Sequence, residues 1–384
     1  MKCNKIFLTS TPNILVSAFL SLMISLPIMA TPMYSITDLG TLGWDNSAAM
    51  SISENGLITG SVFDSTGSHV FIGDEKGLFD IGTLGGKRAT GFSVNNHGQV
   101  VGRSDTANGE QHAFVADISG MTDLGTFGGS WSQANQINNA GQITGAASDQ
   151  NGLTHAFIGT VSGLKDLGTL GGNISEGTGI NDNGQVAGSS ALQPNLPTPK
   201  GIFLGDETNI ESLNAPGKVG SPNLSINNLN QLSGAFVPQG YSDSTIHAFF
   251  FDGIEWSDIG TLGGKNSFSK GINNRGQVVG HSHNVNNSHR AFLYDSDEDI
   301  LFDLNSLVSD LSGWQYLQFA HDINNRGDIV GSGITVNGYQ HAFLLKEVRG
   351  VSAPNTLSLF IIGLAGIVLF GRKKDSKRIC HSLA

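Results

Sequence analysis

Apolar residues along this chain come in short, nearly continuous blocks, such as QVVG from Gln99 and HAFV from His112, separated by clusters of Gly, Asn, Asp and Ser. Such blocks read as strands, and apolarity on both strand faces marks sheets covered on both sides. The blocks also repeat. An (I/V)-N-N-x-G-Q-(V/I)-x-G hairpin places its Ile or Val at Ile52, Val94, Ile137, Ile180, Ile226, Ile272 and Ile323, and its closing glycine lies eight residues later each time. These seven copies are 42, 43, 43, 46, 46 and 51 residues apart, a period that belongs to propellers or solenoids. A D-(L/I)-G-T-(L/F)-G block and a His-Ala-Phe block recur with the hairpin. In the second unit the predicted strands cover about 89–94, 99–103, 111–116 and 121–126. Asn96-His97-Gly98 turns the first pair, where Gly permits positive φ without steric cost.

The two ends of the array are out of phase in a complementary way. Tyr34 to Thr41 (YSITDLGT) is a fourth strand without its first three, whereas the last hairpin and the strand from His341 to Leu345 lack a fourth. The sequence therefore predicts an all-β, seven-bladed β-propeller of four-stranded blades over residues 31–346, its last blade closed by the N-terminal strand. A linear solenoid would more often carry atypical capping ends. Irregular connections stand out: the proline-bearing stretch from Ala191 to Gly201, Asn230 in place of the hairpin glycine, and an insertion between Asp303 and Asp322. Long connections on a repeat scaffold are where function and drift both collect.

The His-Ala-Phe block reads HAF at His112, His155, His247 and His341, HVF at His69, GIF at Gly201 and RAF at Arg290. In these residues, from about Tyr34 to Leu345, the chain resembles the HAF-repeat family of extracellular bacterial proteins. That resemblance implies export and no reaction. Residues 1–30 read as a secretory signal: Lys2 and Lys5 precede a mostly apolar run from Ile14 to Met29, and Ala30 offers the cleavage site. Residues 347–384 read as a C-terminal sorting and membrane tail, with an apolar run from Leu357 to Phe370 before Arg372, Lys373 and Lys374. Their order resembles the PEP-CTERM sorting signal, with processing expected near Ala353 and Pro354, although the Glu and first Pro of that motif are missing. The partners implied are the export machinery, a sorting protease and, through the tail, a membrane; the protein is expected at the cell surface or outside the cell.

Composition narrows the chemistry. Charged residues make up 14% and the net charge is -11, which excludes a nucleic-acid backbone as partner. Cys3 and Cys380 fall in the segments to be removed, leaving no thiolate for a metal or a disulfide, and no cofactor is expected. The recurring histidines should bond within their own repeat, near the Asp of the DLG strand or an Asn of the hairpin. The recurring Asp38, Asp80, Asp123, Asp166, Asp258 and Asp303 should serve turns or the hydrogen-bond network within a blade, and pairs such as Asn95-Asn96 should form turns. Asp295 to Asp299 is the one acidic cluster; alternating carboxylates could contribute to a hard-cation site, but the Gly-containing spacing of an EF-hand loop is missing, and a solvated loop is the other reading. Trp44, Trp131 and Trp314, with Tyr316, lie in the fourth-to-first connections and are the candidate ligand-binding residues, suited to stacking on sugars. The reading is a non-enzymatic binding or structural module acting on polysaccharide or a surface protein. The alternative is a polysaccharide lyase or hydrolase, for which His321, Asp322 and Lys270 break the repeat.

Overall fold

The computed structural model describes residues 33–194, 201–242 and 244–348. The expected signal segment, residues 1–30, lies outside them, as does the expected sorting tail, 347–384, apart from Glu347 and Val348; Glu347 belongs instead to the last strand. The described chain is all-β, with one short 3₁₀ turn at Leu304–Ser306.

Strand β1 (Tyr34–Gly40) stands apart from its sequence neighbours and pairs antiparallel with the last strand of the fold. Then come successive antiparallel sets: β2 (Asn46–Ile52), β3 (Ile58–Phe63), β4 (Ser68–Asp74) and β5 (Gly77–Gly82); β6 (Gly85–Val94), β7 (Val100–Thr106), β8 (Gln111–Asp117) and β9 (Gly120–Gly125). Next are β10 (Gly128–Ile137), β11 (Ile143–Asp149), β12 (Thr154–Thr160) and β13 (Gly163–Gly168), then β14 (Ser175–Ile180), β15 (Val186–Ser190), β16 (Gly201–Gly205) and β17 (Ile210–Leu213). The array continues with β18 (Lys218–Ile226), β19 (Leu232–Val237), β20 (His247–Phe251) and β21 (Trp256–Gly260), and with β22 (Gly263–Ile272), β23 (Gln277–Asn284), β24 (His289–Asp295) and β25 (Ile300–Asp303). Finally β26 (Trp314–Ile323), β27 (Ile329–Thr335) and β28 (Gln340–Glu347) form a sheet in the order β1-β28-β27-β26.

The repeat residues explain this regularity. The Phe of each His-Ala-Phe block, or of its drifted copies, is fully buried: Phe71, Phe114, Phe157, Phe203, Phe249, Phe292 and Phe343. From Phe114 onward each packs on the closing glycine of its own hairpin, at Gly102, Gly145, Gly188, Gly234, Gly280 and Gly331, where a Cβ would strike the ring. The histidines do bond to the Asp of the DLG strand. His69–Asp80, His112–Asp123, His155–Asp166, His247–Asp258 and His341–Asp38 have Nδ1 to carboxylate distances of 2.7–2.9 Å. The other oxygen of each Asp accepts the N–H of the glycine two residues on, which has positive φ, as at Gly125 and Gly168. These pairs are part exposed, so each is worth at most about 1 kcal/mol. Asn230 holds the left-handed conformation in place of glycine, with φ 59°.

Two further devices join one sheet to the next. A serine on a first strand donates to the last glycine of the preceding fourth strand and accepts the N–H of the preceding third strand. Ser132, Ser175 and Ser267 do so, and Ser47 does it between β1 and β28. The hairpin asparagines do more than turn the chain. The Asn95 side-chain oxygen accepts from the N–H groups of His97 and Gln99, while its amide donates to the carbonyl of Asn138 in the next hairpin. The same step runs from Asn138 to Asn181, Asn227, Asn273 and Asn324, and from Asn324 to Ser53.

The insertion after Asp303 is structural. Asp303 caps the 3₁₀ turn through Asn305, and buried Leu304, Leu307 and Val308 pack beside Tyr34, whose backbone bonds to Leu307 and Ser309.

Candidate functional site

All first strands meet around one narrow space. A pocket of about 120 Å³ at its hairpin end is walled by the asparagine pairs. A smaller one of about 90 Å³ lies deeper, and a cavity of about 1300 Å³ opens at the other end of the first strands. The cavity mouth is built from second-to-third connections, Asp64 to Gly67 and Ala107 to Gly109, and from the start of β6 at Gly85 to Arg88. Arg88 pairs with Asp105 at 3.2 Å, and Thr66 donates to Asp64 through both N–H and hydroxyl. Phe63 and Phe319 add apolar surface.

What lines the neck follows from one backbone irregularity. Six of the seven first strands slip register by one residue near their middle or end, leaving Met50, Phe92, Asn135, Thr178, Lys270 and His321 without a cross-strand partner. A bulge of this kind re-aims a side chain. All six line the deeper pocket. The repeat is conserved in shape at this position and different in residue at each copy, so the channel has an asymmetric wall on a regular scaffold. Lys270 and His321 belong to both the deep pocket and the wide cavity, at their junction, and Asp322 lines the deep one.

Electrostatics at the junction are unusual. Burial lowers the Lys270 ammonium pKa. Burial, reinforced by Lys270, pushes His321 down to about 3 and His281 to about 2. Asp322 is driven up to about 6 by burial, against hydrogen bonds from Ile52 N–H, Ser51 Oγ and Ile323 N–H. Next to His281 stand His283 and His289, whose ring centres lie 4.6 Å apart, and the buried Nδ1 atoms of all three are unpartnered. Among the described residues no group of three His, Cys, Asp or Glu is arranged to hold a metal ion.

A pH dependence follows. His281 and His321 take up protons near pH 6.5 when unfolded but only at about 2 and about 3 when folded. Below pH 6.5 the unfolded state therefore binds more protons, and stability should fall progressively as pH drops toward 3. Asp322 acts oppositely, gaining stability as pH falls through 6 toward its ordinary 3.8. Two imidazoles outweigh one carboxyl. Melting temperatures at pH 7 and pH 4.5 should differ by several degrees, and the His281→Gln/His321→Gln double variant should flatten the profile. An unchanged slope in that variant would count against the assignment.

The aromatic candidates sit elsewhere. Trp314 is a correction: it is 8% exposed and packs on Phe343, because Gly333 leaves room for its ring. Trp44 lies on His69, centroids 4.9 Å apart, and Trp131 donates its ring N–H to Gln111 at 3.0 Å. Neither lines the cavity. Tyr316 lies under the Arg290 guanidinium at 4.3 Å. By contrast, Lys270, His321 and Asp322, which break the repeat, do come together on the channel wall. Sequence reasoning missed His281, His283 and His289, although three histidines within one hairpin are a visible signal. Asp297 N–H bonds to Asp295, and Asp299 accepts from Tyr294, so the acidic stretch is engaged in its own turn.

Residues 169–340 match a family described as a protein of unknown function (DUF3466). Among curated proteins none matches the chain. Of solved structures, the acylaminoacyl peptidase of Pyrococcus horikoshii is similar at 12% identity and TM-score 0.54, over 86% of this chain and 56% of that one. TolB from Acinetobacter baumannii aligns at 12% identity and TM-score 0.48, over 65% of this chain and 63% of that one. The chain thus spans less than two thirds of either. The Aleuria aurantia lectin, described as a six-bladed β-propeller, aligns at 11% identity and TM-score 0.35, over 66% of this chain and 89% of that one. What this chain shares with the peptidase is the fold alone, and that fold is all-β in the described residues.

Proposed function

We propose that this chain is an exported, surface-associated binding module, a seven-bladed β-propeller shut by its N-terminal strand, which takes polysaccharide at the wide mouth of its channel. The observation that carries this reading is the cavity of about 1300 Å³, whose neck is lined by repeat-breaking side chains aimed inward by bulges. Open, hydroxyl-lined concavities with a few apolar rings suit extended sugars. The asparagine relay that returns from Asn324 to Ser53, and the pairing of β1 with β28, support the closed ring. Residues 1–30 as export signal and 347–384 as sorting tail support the location.

A second reading has its own observation. Lys270, His321 and Asp322 share one wall, the placing a lyase or hydrolase would require. One experiment separates the two. The purified full-length protein is offered bacterial and algal polysaccharides, with retention and released products measured together. Retention without products is expected, weakened about tenfold by the Phe63→Ala/Phe319→Ala variant and left nearly unchanged by Trp44→Ala or Trp131→Ala. Products would establish the enzyme reading. Failure to retain any polysaccharide, with no products released, would overturn both.

A further inference from the structure

We infer that the neck of the cavity is an anion subsite, Lys270 receiving a singly charged acidic group, a carboxylate or sulfate ester, carried by a glycan chain. The inference rests on the binding reading above and names the class of glycan. Lys270 is the extra residue of a bulge in β22, so its side chain leaves the sheet for the junction between the cavity and the deep pocket. It faces no carboxylate that answers its charge. Asp322, the acid on the same wall, is already served by Ser51, Ile52 and Ile323. Among the described residues the Lys270 ammonium has no ion pair.

The other groups at the junction are His281 and His321, held neutral by burial and by that same ammonium, with Phe319 between their rings. A neutral imidazole can still donate one N–H, and the buried His281 Nδ1 has no partner. One cation with neutral donors balances a single negative charge and leaves a dianionic phosphate monoester under-compensated. At the rim, Lys87 and Arg88 are offset by Asp64 and Asp105, with Arg88 bound to Asp105, so the mouth adds little net charge. The protein as a whole carries -11, so attraction of an acidic chain is a local property of the neck rather than of the overall field.

The test compares oligogalacturonate, its methyl ester and a sulfated galactan oligosaccharide on the full-length protein by calorimetry. The wild type is expected to bind at least one acidic form tenfold or more tightly than the ester, with a preference that shrinks as salt rises. In Lys270→Met the preference should fall to about twofold while ester binding persists, which also reports that the variant is folded. Which acidic form binds identifies the group. A wild type that prefers neither acidic form to the ester, or a preference that survives Lys270→Met, would overturn this inference and leave the binding reading standing. No binding of any of the three, combined with failure on the wider polysaccharide set, would remove both. If Lys270→Met does not fold, the wild-type comparison of acid with ester decides.

Discussion

Gly145→Ala is expected to lower folding stability by about 3 kcal/mol or more, a large effect for one methyl group. Gly145 lies in β11 opposite Ala134 of β10, and an added Cβ would fall on the carbonyl oxygen of Gln133 and 2.8 Å from the Phe157 ring. A side chain could rotate away from such a clash, but Phe157 is fully buried and the carbonyl belongs to the adjacent strand. Relief therefore means parting the strands or shifting the ring, which disturbs packing on both sheet faces. Gly152→Ala supplies the control. That glycine has φ +79° and open space around its Cβ direction, so alanine there meets only the left-handed backbone penalty of about 1 kcal/mol. Denaturant midpoints of the two variants should differ clearly. Equal costs would show that the closing glycine serves turn geometry and not the ring above it.

The same contrast explains what was legible in the sequence. The eight-residue interval from Ile137 to Gly145 is readable because a steric rule forces the same small residue in every copy. The His155–Asp166 pair was readable for a similar reason: both members recur within one repeat, so their partnership is local in chain and space. Bonds that cross between repeats were not legible. The Ser175 clasp on Ala156 and the Asn138 amide on Asn181 join positions 19 and 43 apart, and nothing in either residue type announces its distant partner.

The functional wall was only half visible, for a different physical reason. Lys270 and His321 showed as exceptions to the pattern, but a period-2 strand would alternate faces regularly, and a bulge resets that alternation without a sequence mark of its own. Trp314 misled because bulk beside glycines looks like a binding platform. Trp314 instead fills the space that Gly333 leaves open. His281 and His283 lie on one strand of a hairpin and His289 directly across from His283, a cluster that becomes apparent once register is known.

Tyr34→Ala is expected to be the other severe change, because it loosens β1, which pairs with β28, the last of the described strands. The Tyr34 ring is fully buried among Leu307, Leu345 and their neighbours, and its backbone bonds to Leu307 and Ser309 as well as facing Glu347 across the ladder. Truncating a buried aromatic ring costs about 3–5 kcal/mol. Here the loss falls on one strand, so β1 should detach before the remaining sheets melt. Detachment leaves the row from Ala342 to Glu347 unpaired, and a bare edge strand recruits another chain. The variant should therefore show both a lower melting temperature and concentration-dependent association by size-exclusion chromatography. Tyr34→Phe should behave oppositely. The hydroxyl is buried without a partner among the described residues, so removing it relieves a desolvation cost and should leave stability equal or higher. Burial also raises the phenol pKa above its ordinary 10.0, so wild-type stability is intact below that pH and declines above it, a decline Tyr34→Phe should reduce. If Tyr34→Ala loses less than about 1 kcal/mol and stays monomeric, β1 is a dispensable strand and β2 is held to the last sheet by the Ser47 and Asn324 bonds instead.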